Sequence, residues 1–537
     1  MNAAHRRCTS VSRAGNSSNY ARKTITTSVF LVSASAAVLW GCSSDGATSA
    51  GPASGGNQAA NAGAPAAAGT TTGTAGNTDA NGGASGFNNA LGGSSSAGSP
   101  AASAGSPAVG GTGAAAGSAG SVAAGGSVAA GGSLAAGGSL AGSAGTGSAT
   151  VENQSADCAV GTLPEASALT AIPKLPDPFL KLDGKRVASK AEWRCRRQEI
   201  RKQAEKYVLG GKPTPDLVSG TVTKSLISVH VEAKGKSIDF TAKVVLPAKG
   251  SAPFPAMISV GKSLNLGESR MLDQGVAVIY YDNYLLGEEG KAEASRGKPN
   301  PGKYYDIYGG NDEAGLLMAW AWGASRMLDV IQKSGREIFD MTGIGVSGCS
   351  RLGKAAFTIG VFDDRIALTI PHEPSTGGDP ALRIMDKIAG AERTDHNYNG
   401  LNWLSNNFAP FVFANNTSNA VKLPIDTHAL IGMIAPRGLL ILENPHQPQM
   451  GAPAGHTAAI AGLEVYKALG VEKNISYHSS VKDTAHCSYK TEYTELINEN
   501  IAAFLKHTGE APGQFLVGSG GSLTRADWID WQAPALQ

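Results

Sequence analysis

Met341-Thr342-Gly343-Ile344-Gly345-Val346-Ser347-Gly348-Cys349-Ser350-Arg351-Leu352-Gly353-Lys354 is the stretch from which the rest of the chain can be read. Met341–Val346 has the short apolar character of a buried strand, and a helix begins near Leu352. A strand, a tight turn of small residues and a helix, with a serine at the apex, is the arrangement of a nucleophile elbow. Such a turn strains the serine backbone and holds its hydroxyl above the sheet, while the helix N-terminus favours a developing negative charge. The usual elbow spaces its glycines as Gly-x-Ser-x-Gly. Here Leu352 stands in the second glycine position, and Gly353 comes one place late.

Outward from the elbow, short apolar runs alternate with helical stretches. Strands are expected at Asp239–Leu246, Ala256–Val260, Val276–Tyr281, Met341–Val346, Ile366–Ile370, Leu439–Leu442 and Ile475–His478. Helices are expected at Ser189–Val208, Gly315–Lys333, Leu352–Val361, Thr457–Leu469 and Lys490–Leu505. This alternation predicts an α/β fold of the α/β-hydrolase type: a three-layer αβα sandwich with a mostly parallel central sheet. The 315–333 helix is strongly apolar, with Leu316, Leu317 and Met318 beside them, so Trp320 and Trp322 read as core. The fold orders its catalytic residues as nucleophile, acid, base. Ser350 is therefore the candidate nucleophile. Glu373, in Ile370-Pro371-His372-Glu373-Pro374, is the candidate acid. His486, in Thr484-Ala485-His486-Cys487, lies after the last of these strands and is the candidate base. Glu443, at the end of Leu439–Leu442, is a rival acid.

The first 155 residues have another character. The chain holds 70 glycines in 537 residues, 31 of them in this part, about twice the density of the remainder. His5, Arg6, Arg7, Arg13, Arg22 and Lys23 precede the apolar run Thr24 to Leu39, which is too short to span a bilayer comfortably and reads as an export signal. It ends in Leu39-Trp40-Gly41-Cys42, which resembles a bacterial lipobox with Cys42 as the lipidated residue. Residues 1–42 are thus expected to be a lipoprotein-type signal peptide, anchoring the protein in a bacterial outer membrane; ordinary cleavage and free secretion is the other reading. Residues 43–155 are Gly/Ala/Ser-rich, with too few bulky apolar side chains to offset the entropy of ordering, and read as a flexible tether of about 55–60 Å reach. Residues 156–537 are expected to form the α/β-hydrolase catalytic domain.

A net charge of +2 argues against nucleic acid or an anionic membrane surface as partner. The folded part has no metal-ligand spacing, phosphate-cradling loop or cofactor fingerprint, so no metal and no cofactor are expected, and a monomer is. Cys8 lies in the leader and Cys42 at its end. The remaining Cys158, Cys195, Cys349 and Cys487 suit two disulfides in an exported chain, with three pairings open.

Gly348-Cys349-Ser350-Arg351-Leu352-Gly353-Lys354 resembles the Gly-Cys-Ser-Arg-x-Gly-Lys signature of the glucuronoyl esterases, carbohydrate esterase family fifteen. Lys174–Phe179, Cys195–Ile200, Ala319–Gly323, Arg365–Pro371, Gly432–Arg437 and His486-Cys487 resemble that family too, most of all its fungal branch. The resemblance implies hydrolysis of the ester between (4-O-methyl-)glucuronic acid of glucuronoxylan and lignin alcohols. Ser350, His486 and Glu373 would form the triad. Arg351 would hold the oxyanion and Lys354 the sugar hydroxyls. Cys349–Cys487 and Cys158–Cys195 agree with the fungal branch, and the first would join if the triad assembles. The sugar shell departs from the family: Gln449 stands where it has a tryptophan, Gly400 replaces a glutamate, and Glu392 takes the place of a glutamine. Trp403 reads as packing. An esterase for acetyl or methyl groups is therefore an alternative, as is a surface polysaccharide-binding protein with a vestigial site.

Overall fold

Ten strands make one sheet in the computed structural model, which describes residues 151–289, 300–310, 313–399 and 401–537. The signal peptide with Cys42, nearly all of the tether and Gly400 lie outside the described residues. The strands are β1 Leu217–Val222, β2 Leu226–Ala233, β3 Lys236–Val245, β4 Phe254–Val260, β5 Ala277–Tyr281, β6 Phe339–Cys349, β7 Leu368–His372, β8 Gly438–Leu442, β9 Ile475–His478 and β10 Phe515–Leu516. Their order is β1-β2-β3-β5-β4-β6-β7-β8-β9-β10. β1, β2, β3 and β5 pair antiparallel in succession, and every other neighbouring pair is parallel.

Burial explains both halves of the sheet. Every residue of β7, β8 and β9 is buried, as expected of parallel strands covered by helices on both faces. β2 instead alternates: Ile227, Val229, Val231 and Ala233 point inward, and their neighbours do not. β1, β2 and β10 lie outside the strands read from the sequence. Polar residues dilute the first two, although the Lys234-Gly235 turn between β2 and β3, with φ of 52° and 71°, is a two-residue hairpin of the kind that matches strand twist.

The helices follow the expected segments with shifted ends. The helix Ala452–Leu469 starts ahead of Thr457 because Pro453 sits in its first turn, where a missing N–H costs nothing. Lys490–Leu505 resolves into a short 3₁₀ turn and the helix Thr494–Phe504. In the helix Leu316–Ser334, Trp320 and Trp322 are fully buried, and their indole N–H groups donate to Gly287 O and Pro213 O, each at 2.9 Å. Arg197 and Arg437 both hold the buried Asp364, at 2.6 and 3.1 Å, so these signature arginines serve the packing.

Packing begins a few residues before the boundary read from composition. Glu152 pairs with Lys212 at 2.6 Å and with Arg326, and Gln154 N–H donates to Asp364 at 2.9 Å. Two opposite charges reaching into the domain anchor a segment whose composition still looks like tether. Among the described residues no helix is long and apolar enough to cross a membrane.

Candidate active site

Ser350 alone separates β6 from the helix Arg351–Phe362. Its backbone has φ 58° and ψ −128°, a conformation that costs a non-glycine residue of order 1–3 kcal/mol and persists only when the surroundings impose it. The surroundings are two close approaches. A Cβ on Gly348 would lie 2.3 Å from Leu352 O, and one on Gly353 would lie 2.8 Å from His372 O. The late glycine is thus where the first helical turn presses on the end of β7. Leu352 instead projects toward Gly261, where a Cβ would come within 2.7 Å of its Cδ1. Ser350 N–H is spent on His372 O at 2.9 Å. The amide of Arg351 opens the helix and has no acceptor within it.

Glu373 follows β7 and is fully buried. Its Oε2 lies 2.5 Å from His486 Nδ1 and accepts from Cys487 N–H at 3.1 Å. Its Oε1 faces His372 Nε2 at 3.3 Å and Lys490 Nζ at 3.2 Å. Burial pushes this carboxyl up, but His372, His486 and the Cys487 amide outweigh it and hold Glu373 well below the ordinary carboxylate range. It is an anion, as a partner for an imidazolium must be.

Lys490 was not among the sequence candidates. A lysine at the start of a helical segment looks solvated, yet this one is wholly buried and also donates to Ala485 O at 2.8 Å and Ser488 Oγ at 3.0 Å. It therefore ties the His486 loop to the acid.

Among the described residues no hydrogen bond joins Ser350 Oγ to His486, whose side chain is 31% exposed. Catalytic contacts of this kind are often loose before substrate arrives. The two loops are joined instead by the disulfide Cys349–Cys487, with a Cα–Cα distance of 5.8 Å. Cys158–Cys195 is the second disulfide. Cys349 and Cys487 gather near His486, but their sulfurs are bonded to each other and offer no thiolate to a metal.

The rival acid has another environment. Neither carboxylate oxygen of Glu443, nor of Asp379, has a hydrogen-bond partner among the described residues, and all four are buried. Both groups crowd Gly455, where a Cβ would lie 2.8 Å from Glu443 Oε1 and 3.1 Å from Asp379 Oδ2. Burial pushes Asp379 up to about 8, and burial, Asp379 and Glu373 raise Glu443 well above its usual value. The carboxylate on His486 is Glu373. The folded protein keeps protons here that the unfolded chain has lost above about pH 4.3, so this contribution to stability is full below that pH and fades as pH rises toward the folded values. Each retained proton costs about 1.4 kcal/mol per pH unit in that window. Urea unfolding at pH 5 and pH 8 should show Glu443→Gln gaining on the wild type at the higher pH; equal slopes would count against a retained proton.

A protein-family model described as "Glucuronyl esterase, fungi" matches residues 229–470. The chain is 37% identical over 369 residues to a 4-O-methyl-glucuronoyl methylesterase of Thermothelomyces thermophilus, covering 67% of this chain and 88% of that protein. The chain belongs to the glucuronoyl esterases. A protein of the same description from Hypocrea jecorina is 33% identical over 379 residues, 70% of this chain and 78% of that one. Among solved structures, the glucuronoyl esterase catalytic domain of Hypocrea jecorina matches with a TM-score of 0.63 at 32% identity, covering 70% of this chain and 100% of that one. A serine-to-alanine mutant of the Sporotrichum thermophile glucuronoyl esterase, solved with methyl 4-O-methyl-β-D-glucopyranuronate, gives 0.63 at 34% identity, over 69% and 97%.

In this glucuronoyl esterase the remaining sequence candidates gather beside the elbow. Arg351, 48% exposed, sits 3.1 Å from the buried Glu289. Lys354 is buried and donates to Glu392 Oε2 at 2.9 Å, with its ammonium 4.5 Å from the centre of the Trp403 ring. Burial lowers the Lys354 pKa, and Glu392 restores part of the loss. Glu392 and Gln449 line one open cleft of ≈ 830 Å³ together with Arg393, Asp395 and His396. They are linked by Glu392 N–H donating to Gln449 O at 3.0 Å, while the Gln449 side chain donates to Gln447 at 2.6 Å. Trp403 is 3% exposed, in keeping with a packing role.

Proposed function

We propose that the protein hydrolyses the ester between (4-O-methyl-)glucuronic acid of glucuronoxylan and alcohols of lignin. Ser350 attacks the uronate carbonyl while His486 takes its proton, and His486 then protonates the departing alcohol. Water, activated by the same imidazole, releases the acyl group. Glu373 orients the ring and stabilises the imidazolium. The Arg351 amide and guanidinium hold the oxyanion. Lys354, Glu392 and Gln449 receive the sugar. The observation that carries this reading is the 2.5 Å contact of an ionised Glu373 with His486, on a loop disulfide-bonded to the elbow of a glucuronoyl esterase.

Purified protein should cleave benzyl or methyl glucuronate and spare acetylated xylan. Activity on acetyl esters alone would replace this reading with the second one, an acetyl or methyl esterase. That alternative is favoured by Gln449, whose side chain bonds Gln447 where the resemblance leads one to expect an aromatic ring.

The enzyme works outside the cell as a monomer, held by the lipidated Cys42 in a bacterial outer membrane and extended on its tether. Cys42→Ala should move it from the membrane fraction to the medium, and unchanged fractionation would remove the anchor.

A further inference from the structure

Two cations flank the elbow serine, and each has a carboxylate of its own. Arg351 Nη1 lies 3.1 Å from Glu289 Oε1, and the Glu289 side chain is 2% exposed. Tyr284 donates to the other oxygen of Glu289 at 3.0 Å. Lys354 donates to Glu392 Oε2 at 2.9 Å, and His396 Nε2 lies 3.2 Å from Glu392 Oε1. Both cations also border the Trp403 ring, at 6.0 and 4.5 Å. Ester hydrolysis does not itself call for these carboxylates. A negative charge beside Arg351 works against the oxyanion the guanidinium is to stabilise.

The charge change of the reaction supplies a reason. The ester enters neutral. Water adds its oxygen to the acyl carbon, His486 passes one of its protons to Ser350 Oγ as the bond to the serine breaks, and the acid formed then loses its own proton to solvent. The product is a carboxylic acid, ionised at neutral pH. An unpaired arginine and lysine would grip that anion through charge-assisted hydrogen bonds, and the product would then compete with the ester.

We propose that Glu289 and Glu392 are counter-charges that keep the site electrically neutral, so that it takes an uncharged uronate ester and lets go of the uronate anion. The inference rests on the glucuronate reading above and adds Glu289 as a specificity-determining residue. It also gives Glu392 a second task besides contact with the sugar.

The test is the ratio of the glucuronate inhibition constant to KM for methyl glucuronate, in wild type, Glu289→Gln, Glu289→Asp and Glu392→Gln. Glutamine keeps the shape and removes the charge. The ratio should fall about tenfold or more in each glutamine variant and stay near wild type in Glu289→Asp. The fall should shrink in high salt, because it is electrostatic. A residue that merely props up the site would lower kcat and leave this ratio unmoved. An unchanged or raised ratio in the folded glutamine variants overturns the proposal. If Glu289→Gln does not fold, Glu392→Gln decides it. A wild type that leaves glucuronate esters intact defeats the substrate reading instead, and the same ratio is then read with the acid of the ester it does cleave.

Discussion

Ser350→Ala should lower kcat/KM on methyl glucuronate by about 10⁴-fold or more, leaving the remnant that an oxyanion site and binding supply without a nucleophile. His486→Ala should cost about as much, since the two act as one unit and their losses do not add. The informative contrast is between the two buried glutamates. Glu373→Gln keeps the shape but removes the anion that touches His486 Nδ1 and the Cys487 amide, so a loss of roughly 10²–10⁴-fold is expected. Glu443→Gln should change turnover by no more than about threefold, because that carboxyl makes no hydrogen bond to His486 and burial already raises it well above its usual value. Initial rates with one glucuronate ester settle the order. If Glu443→Gln proved the more damaging, the acid would be misassigned.

The second large effect is expected from Cys349→Ser/Cys487→Ser. This disulfide spans 138 residues, and loop closure of that length is worth about 5 kcal/mol in the chain-entropy account. For a domain of this size, that corresponds to a fall in Tm of roughly 5–10 °C. Activity should fall as well, by roughly 10–100-fold, since accurate placement of catalytic groups carries much of the rate. Cys349 immediately precedes the nucleophile, while Cys487 follows the base and donates its own amide to Glu373. Cys158–Cys195, spanning 37 residues far from these groups in sequence, serves as the control. Its removal should lower Tm and spare kcat, and equal kinetic damage from both pairs would show that the effect is general loosening.

How far the chain could be read in advance depended on how local the signal was. The elbow declares itself because strand, turn and helix are contiguous, and its chemistry sits within Gly348–Lys354. β8 is legible because both faces are buried and Leu439–Leu442 is apolar in a row, and β7 and β9 are short buried strands whose large apolar residues still outweigh their polar ones. β1 and β2 were missed because one face is wet and polar residues interrupt the pattern. The start of packing at Glu152 was missed for a similar reason, as two ion pairs leave no mark on composition.

The sequence by itself determined the fold class and placed Ser350, the two candidate acids Glu373 and Glu443, and His486 each after a strand. Only the tertiary structure sets Glu373 and Glu443 apart, for both close a buried strand and differ in what lies across from them. One meets His372, His486, the Cys487 amide and Lys490, and stays ionised. The other meets Asp379, and burial raises it well above its usual value. The same holds for Lys490 and Glu289, whose partners are charges brought near from elsewhere in the chain. A charge is tuned by what surrounds it in space, and spacing along the chain records only neighbours in sequence.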